Sequence, residues 1–330
     1  MNAGAPISTP NPEVDPSVAW IISTGKRGHE VKGIGLAEAL GLEPVVKQVT
    51  LGFPWSLLAP RGPAPRAPAL AGPPWPAVVF ASGRRTIPFA QAMRRRVGGA
   101  SLIVALDDPG IPPDRFDFVW ASRHDPVTGP NVLKTLTAPH RLTAERIVQE
   151  GRALKARLGD LAYTADAPLV GVMLGGPSKA YHFGVDEAVA LGETLAHLQR
   201  RDGARIIVTA SRRTPPEALA ALADYLDPER ARVFDGGGDN PYPGLLHLAT
   251  HLVVTCDSVN MLGEAAFTGR PVYAVRLPGR AGKFDSFHSG MVAHGAMRWF
   301  EDRLEDWSYE PLDSTTEIAA AIRARLGRTP

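Results

Sequence analysis

The segment Leu252–Val275, LVVTCDSVNMLGEAAFTGRPVYAV, holds residue types that could recognise a nucleotide. An apolar, β-branched run ends at Cys256. Asp257 and Ser258 follow as helix N-cap residues, and the free N–H groups of the helix they open, beginning near Asn260, could face a phosphate. Glu264 stands six residues beyond Ser258, where a carboxylate can accept two hydrogen bonds from a ribose diol while the helix start holds a diphosphate. The same residues also fit an ordinary capped helix with a surface glutamate. A second group centres on His29, at the end of Gly25-Lys26-Arg27-Gly28-His29. A neutral imidazole there can take the proton of a hydroxyl near neutral pH, which makes His29 the candidate general base; the alternative is a polar or capping residue of a glycine turn. Asp107, Asp108, Arg123, His124 and Asp125 stand just beyond apolar runs, where ligands of parallel sheets collect. Adjacency does not make His124 and Asp125 a dyad. Asp285, Ser286 and His288 sit too close on one segment for triad geometry. His140 and Arg141 are further loop candidates.

Several chemistries lose support. Gly25 to Gly35 does not supply the G-x-G-x-x-G fingerprint of nicotinamide or flavin sites. Gly171 and Gly176 have the spacing of a phosphate-binding loop, but Pro177-Ser178 follows where Lys-Ser/Thr belongs, which argues against an NTPase. There is no H-E-x-x-H, C-x-x-C, G-x-S-x-G or Asp-x-Asp, so metal-dependent chemistry is disfavoured and no cofactor is expected. The single cysteine, Cys256 in Val-Val-Thr-Cys, permits no intrachain disulfide and reads as a small buried hydrophobe.

The elements that would position these residues alternate. Ala19–Thr24 reads as a strand, Gly25–His29 as a glycine turn, and an amphipathic helix runs on to Leu40. Further strands are expected at 45–49, 77–81, 102–106 and 116–121, with a helix at 88–96 and another opened by Thr143. The pattern restarts at Leu169–Leu174, followed by Gly175-Gly176-Pro177-Ser178-Lys179, with strands at 205–209, 232–234, 252–256 and 271–275. Two such series in 330 residues imply an α/β protein of two Rossmann-like, doubly wound domains facing a cleft. The expected layout is a disordered tail over 1–16, an acceptor domain over 17–160 and a nucleotide-sugar domain over 161–330, whose last helix could return to the first domain. Residues 59–76 pack seven prolines into eighteen positions and read as an exposed, extended insertion.

Net charge is +2, but its distribution is uneven. Residues 44–106 contain no acid, while Lys47, Arg61, Arg66, Arg84, Arg85, Arg94, Arg95 and Arg96 all lie there. Such a one-sign field suits an anionic partner. Nucleic acid is not expected, because no recognised binding motif accompanies it. Phe53-Pro54-Trp55-Ser56-Leu57-Leu58 precedes this stretch; exposed beside cations it would favour shallow docking on an anionic lipid surface, and otherwise it packs in the core. No run is long enough to span a bilayer and no signal peptide is evident, so the expected location is cytoplasmic, with peripheral membrane association.

The Leu252–Val275 segment resembles the donor-binding signature of GT-B glycosyltransferases. The wider set is similar to the mitochondrial-fission ("elongated mitochondria") family and its bacterial relatives. It comprises Gly25–Glu30 with Gly35–Leu40, Phe116–Asp125, Asn131–Thr143, Gly175–Ser178, Thr209–Thr214, Asn240–Tyr242 and Asp257–Glu264. The resemblance implies transfer of a sugar from a nucleoside diphosphate donor to an acceptor, which could be anionic or lipid-linked; inversion at the anomeric carbon is expected because no suitably placed pair of carboxylates is evident for a covalent route. The alternative is a non-catalytic member that binds a nucleotide or a partner at a membrane surface. It implies that Glu264 holds the ribose and that Ser258, Asn260, Gly175, Gly176, Ser178 and Ser211 surround the diphosphate. Lys179, Arg212 and Arg213 would neutralise it, and Asn240 and Tyr242 would border the base. Lys283 and Asp285, expected on a loop after the 271–275 strand, would touch the donor sugar; the usual glutamine pair is absent there. Gly28, Arg84, Asp107, Arg123, His124 and Asp125 would line the acceptor side.

Overall fold

The computed structural model describes residues 13–162, 167–280 and 282–327. The chain divides into two compact units, one built from the part up to Arg141 together with the part from Ser314 onward, the other from Leu142–Asp313.

In unit 1 the apolar runs become a parallel sheet of β1 (Val14–Ser23), β2 (Glu43–Gln48), β3 (Trp75–Ser82), β4 (Leu102–Leu106), β5 (Phe118–Ser122) and β6 (Val132–Thr135), in the order β2-β1-β3-β4-β5-β6. Successive side chains leave a strand on opposite faces, so β1 and its neighbours feed two cores. Trp20, Ile22, Val79 and Ile103 meet Phe89 and Met93 of α3 (Ile87–Val97). Ile21, Phe80, Val104 and Trp120 meet Leu36 of α1 (Arg27–Leu40) and Ile318 and Ile322 of α10 (Ser314–Leu326). Each large side chain so buried contributes about 1.5–3 kcal/mol. Helix α10 is fastened by Ser314 and Thr315: the Ser314 hydroxyl lies 2.6 Å from that of Thr137, and the His140 N–H donates to Thr315 Oγ1 at 2.9 Å. His140 is therefore a buried structural residue.

Three expectations need correction in this unit. Of the tail expected over 1–16, residues 1–12 lie outside the described residues, and strand pairing begins at Val14, opposite Trp75. The 59–76 segment is not a wholly exposed insertion: Ala59, Leu70 and Trp75 are buried in the α3-side core. Pro76 belongs to β3, opposite Asp15 at the strand's beginning, where a proline is tolerated.

Unit 2 begins with α4 (Ala144–Leu158), capped by the Thr143 side chain, which accepts from the Arg146 N–H at 3.2 Å. Its sheet comprises β7 (Leu169–Leu174), β8 (Arg205–Ala210), β9 (Ala231–Phe234), β10 (His251–Thr255), β11 (Val272–Val275) and β12 (Met297–Trp299), all parallel, in the order β12-β11-β10-β7-β8-β9. The connecting helices are α5 (Val185–Asp202), α6 (Pro216–Ala223), α7 (Tyr242–Leu248), α8 (Val259–Ala266) and α9 (Lys283–His294). Helix α4 was expected to close the first domain but packs on α7 instead. Two glycines permit the close approach: a Cβ at Gly151 would stand 2.4 Å from the His247 ring, and one at Gly244 2.6 Å from the Glu150 carbonyl.

Candidate functional site

In unit 1 the strand order reverses between β1 and β3, and the side chains with chemistry gather at the carboxyl ends beside that switch point. His29 lies in the first turn of α1, and its Nδ1 stands 3.0 Å from the Ser82 carbonyl at the end of β3. That bond requires the Nδ1–H tautomer and leaves Nε2 as the basic nitrogen. The ring rests against Gly83, at φ +85°, where an added Cβ would fall 2.3 Å from Cε1. Burial lowers the His29 pKa and Lys32 adds to this, while Asp107 opposes it; the net shift is downward, so the imidazole is neutral at neutral pH.

Asp107, at the end of β4, takes a positive φ of 76° without being glycine. Its carboxylate is held by Lys32 on one oxygen and by the Ser82 hydroxyl, at 2.8 Å, on the other. Burial pushes the carboxyl up, but Lys32 and the two hydrogen bonds outweigh it and its pKa is lowered. A neighbouring cluster joins Ser23 to Glu30, which also accepts from Gln48 Nε2 at 3.0 Å, while the Gly25 N–H donates to Ser23 Oγ at 2.9 Å. Lys32, Ser82, Ser23 and Glu30 were not singled out in the sequence. The available signal was helical spacing, since Lys32 follows His29 by three positions and so shares its face.

The other acceptor-side residues are placed differently. Arg84 is turned to the Ala59 carbonyl. Arg123 is exposed, and its N–H donates to the Thr135 carbonyl. Asp125 closes a turn, accepting from the Ser122 N–H at 3.1 Å, and stands 3.8 Å from His124 Nε2. Gly28 is in open space on the first turn of α1, so the position does not require glycine; Gly25, at φ +83°, does.

In unit 2 the strand order reverses between β7 and β10. The turn after β7, the turn after β8 and the start of α8 are knitted together by Asp257. Its Oδ2 accepts from the Gly176 N–H at 3.1 Å and from Arg213 Nη2 at 2.7 Å, with the carboxylate fully buried. Arg213 also donates to the Gly176 carbonyl at 2.9 Å. The Gly175 N–H donates to Thr255 Oγ1 at 2.7 Å, and its carbonyl accepts from Ser211 Oγ at 2.8 Å. Both glycines are compulsory, because a Cβ at Gly175 would lie 2.3 Å from each Asp257 oxygen and one at Gly176 2.2 Å from the Arg213 carbonyl.

This corrects the expected division of labour. Asp257 ties the loop rather than capping α8, and Ser258, at the N-cap position, makes no side-chain cap hydrogen bond. The Gly175 and Gly176 N–H groups and Arg213 are engaged by the protein itself. Ser178 Oγ accepts from the Ala180 and Tyr181 N–H groups of its own turn. Lys179, Arg212 and Asn260 are exposed. Asp257 Oδ1 is buried without a hydrogen-bond partner.

Glu264 and Tyr242, singled out separately, meet: the Tyr242 hydroxyl donates to Glu264 Oε2 at 2.5 Å. Burial raises the Glu264 pKa, against the opposing hydrogen bond, and burial with the Glu264 charge raises that of Tyr242. Asn240 Oδ1 accepts from the Tyr242 N–H at 3.1 Å, an Asx turn that opens α7. Lys283 and Asp285 begin helix α9 rather than occupying a loop, and Asp285 is exposed. His288, on the same helix, is buried with Nε2 2.9 Å from the Cys256 carbonyl, so it forms no triad. Cys256 is buried and its thiol pKa is raised by burial.

Residues 27–326 match the family model described as Mitochondrial fission ELM1. The chain belongs to this family. It is 31% identical over 274 residues to the mitochondrial fission protein ELM1 of Arabidopsis thaliana, a match that covers 76% of this chain and 64% of that protein. The chain thus spans somewhat under two thirds of the plant relative's length. An uncharacterised protein of Rickettsia prowazekii is 24% identical, over 76% of this chain and 80% of that protein. Among solved structures, a putative UDP-N-acetylglucosamine 2-epimerase from Listeria monocytogenes superposes with TM-score 0.54 at 12% identity, covering 96% of this chain and 98% of that one. The UDP-GlcNAc 2-epimerase of Neisseria meningitidis bound to UDP-GlcNAc gives 0.51 at 9% identity, over 96% and 93%. At such identities the likeness establishes the fold, which is GT-B-like: two successive Rossmann-like parallel α/β units.

Proposed function

We propose that this ELM1-family chain binds a nucleoside diphosphate sugar on unit 2 and transfers the sugar to an acceptor hydroxyl. The observation that carries the reading is the Tyr242–Glu264 pair beside the switch point of the second sheet, where burial disfavours the charge of an acidic side chain. A ribose diol donating to Glu264 offsets that cost. The start of α8 and the exposed Lys179 and Arg212 supply positive charge for the diphosphate. The Neisseria structure holds UDP-GlcNAc, which makes this the first donor to test.

In such a transfer the acceptor oxygen bonds to the anomeric carbon as it gives up its proton, for which His29 Nε2 in unit 1 is the candidate base. The bond from that carbon to the diphosphate oxygen breaks, and the nucleoside diphosphate leaves with the electron pair. Asp107 and Lys32 set the field at His29, and the Ser82 carbonyl fixes its tautomer. The acceptor is a hydroxyl compound, with anionic and lipid-linked alcohols the first candidates.

A second reading, a non-catalytic interaction protein of the same fold, is favoured by one specific observation: Arg213 and the Gly176 N–H, which a diphosphate would use, are already held by Asp257. Donor turnover by the wild type that falls at least a hundredfold in His29→Ala, with nucleotide affinity kept, supports transfer. Absence of both nucleotide binding and turnover supports the second reading.

A further inference from the structure

We infer that the tip formed by Phe53–Leu58 docks on an anionic phospholipid surface. Among the described residues seven large apolar side chains are exposed, and four fall within this one short stretch: Phe53 at 82%, Trp55 at 38%, Leu57 at 69% and Leu58 at 52%. The remaining three, Val185 on α5, Tyr225 just after α6 and Val292 on α9, lie far apart in the sequence of unit 2. Clustering of this kind marks an interaction surface, whereas scattered exposure does not.

The tip is built to present these side chains. One helical turn, α2 (Trp55–Leu58), is closed by the Ser56 N–H donating to the Gly52 carbonyl and the Leu57 N–H to the Pro54 carbonyl, at 2.9 and 3.1 Å. The Arg61 and Gly62 N–H groups then cap the Leu58 carbonyl at 2.9 and 2.8 Å. Leu51 on one side and Ala59 and Pro60 on the other are buried, so the segment is anchored at both ends while its middle stands out.

Charge selects the occupant. No acidic residue occurs between Pro44 and Leu106. Arg84 donates to the Ala59 carbonyl at the base of the tip, and Arg61, Arg84 and Arg85 are all exposed. An aromatic and aliphatic tip flanked by guanidinium groups matches a bilayer interface, where rings and leucines enter the acyl boundary and arginines meet lipid phosphates. No helix among the described residues is long and apolar enough to cross a membrane. This inference stands independently of the nucleotide-sugar reading.

The test is cosedimentation of the full chain with phosphatidylcholine vesicles, with and without about 30 mol% phosphatidylglycerol. Binding to the anionic vesicles at least tenfold above pure phosphatidylcholine is expected. It should fall about tenfold or more in Phe53→Ser/Leu57→Ser, roughly fivefold for each of Arg61→Glu and Arg85→Glu, and sharply at about 0.5 M salt. All these positions are exposed, and melting curves matching the wild type verify that the variants fold. Equal binding to both vesicle types, binding to neither, or binding unchanged in the folded Phe53→Ser/Leu57→Ser variant overturns the inference. So does a concentration-dependent dimer that this variant dissolves, which would make the tip a self-association surface.

Discussion

Burial pushes the Glu264 pKa up, and the Tyr242 hydroxyl only partly reverses the shift. A carboxyl whose folded pKa exceeds its unfolded value stabilises the fold below the unfolded value and loses that contribution as pH rises through the folded pKa. At neutral pH, above the unfolded value, that contribution is diminished, and Glu264→Gln, which removes the ionisable group, should raise Tm by roughly 2–4 °C in calorimetry, about 1 kcal/mol. The same change should weaken nucleotide binding at least tenfold, because the charge-assisted bonds to the ribose are lost. His29 has the opposite logic. Its pKa is lowered, so the acid limb of a transfer pH–rate profile should have its midpoint below 6.5, the residue's ordinary value. A midpoint at or above that value would remove His29 as the base. Glu264 and His29 could be named as candidates from residue type and place. Ser82, Lys32 and Asp257's role as a tie could not, because the bonds Lys32–Asp107 and Asp257–Gly176 span 75 and 81 positions.

At the scale of elements, glycine positions separate compulsory turns from permissive ones. Gly175→Ala puts a Cβ 2.3 Å from both oxygens of Asp257, whose carboxylate is fixed by Gly176 and Arg213, so the loop must open. The expected cost is about 2–3 kcal/mol, read as a lowered denaturant midpoint. Gly28→Ala meets nothing within 4 Å and lies in a helix, so it should be neutral or stabilising by roughly 0.5–1 kcal/mol. The core strands were legible because apolar runs such as Leu102–Leu106 and Leu169–Leu174 become strands of those same bounds. The short edge strands β6 and β12 were not, since they carry little of the core. Helix α9 was hidden for another reason: Gly282 and Lys283 resemble the end of a loop until the helix beyond them is seen.

For the whole molecule, two doubly wound series were readable from alternation alone. The assignment of α4 to unit 2 rests on its packing against α7, which no local pattern encodes. Both units carry histidines whose pKa burial lowers: His29 in unit 1 and His247, His251 and His288 in unit 2. A depressed imidazole pKa contributes stability that is present above the unfolded value of about 6.5 and lost as pH falls through the folded pKa. Tm should therefore decline as pH is lowered from about 7 to 5, and a flat profile would contradict these environments. The central claim is that unit 2 holds a nucleoside diphosphate sugar through Glu264. It is tested most directly by thermal-shift titration of wild type and Glu264→Gln against UDP-GlcNAc, UDP and the other nucleoside diphosphates. The account predicts that one nucleotide series raises the wild-type Tm by roughly 5–10 °C at about a hundredfold excess over Kd, with the shift largely lost in a variant that is itself more stable. No shift for any nucleotide at millimolar concentration, or an equal shift in the variant, would contradict it.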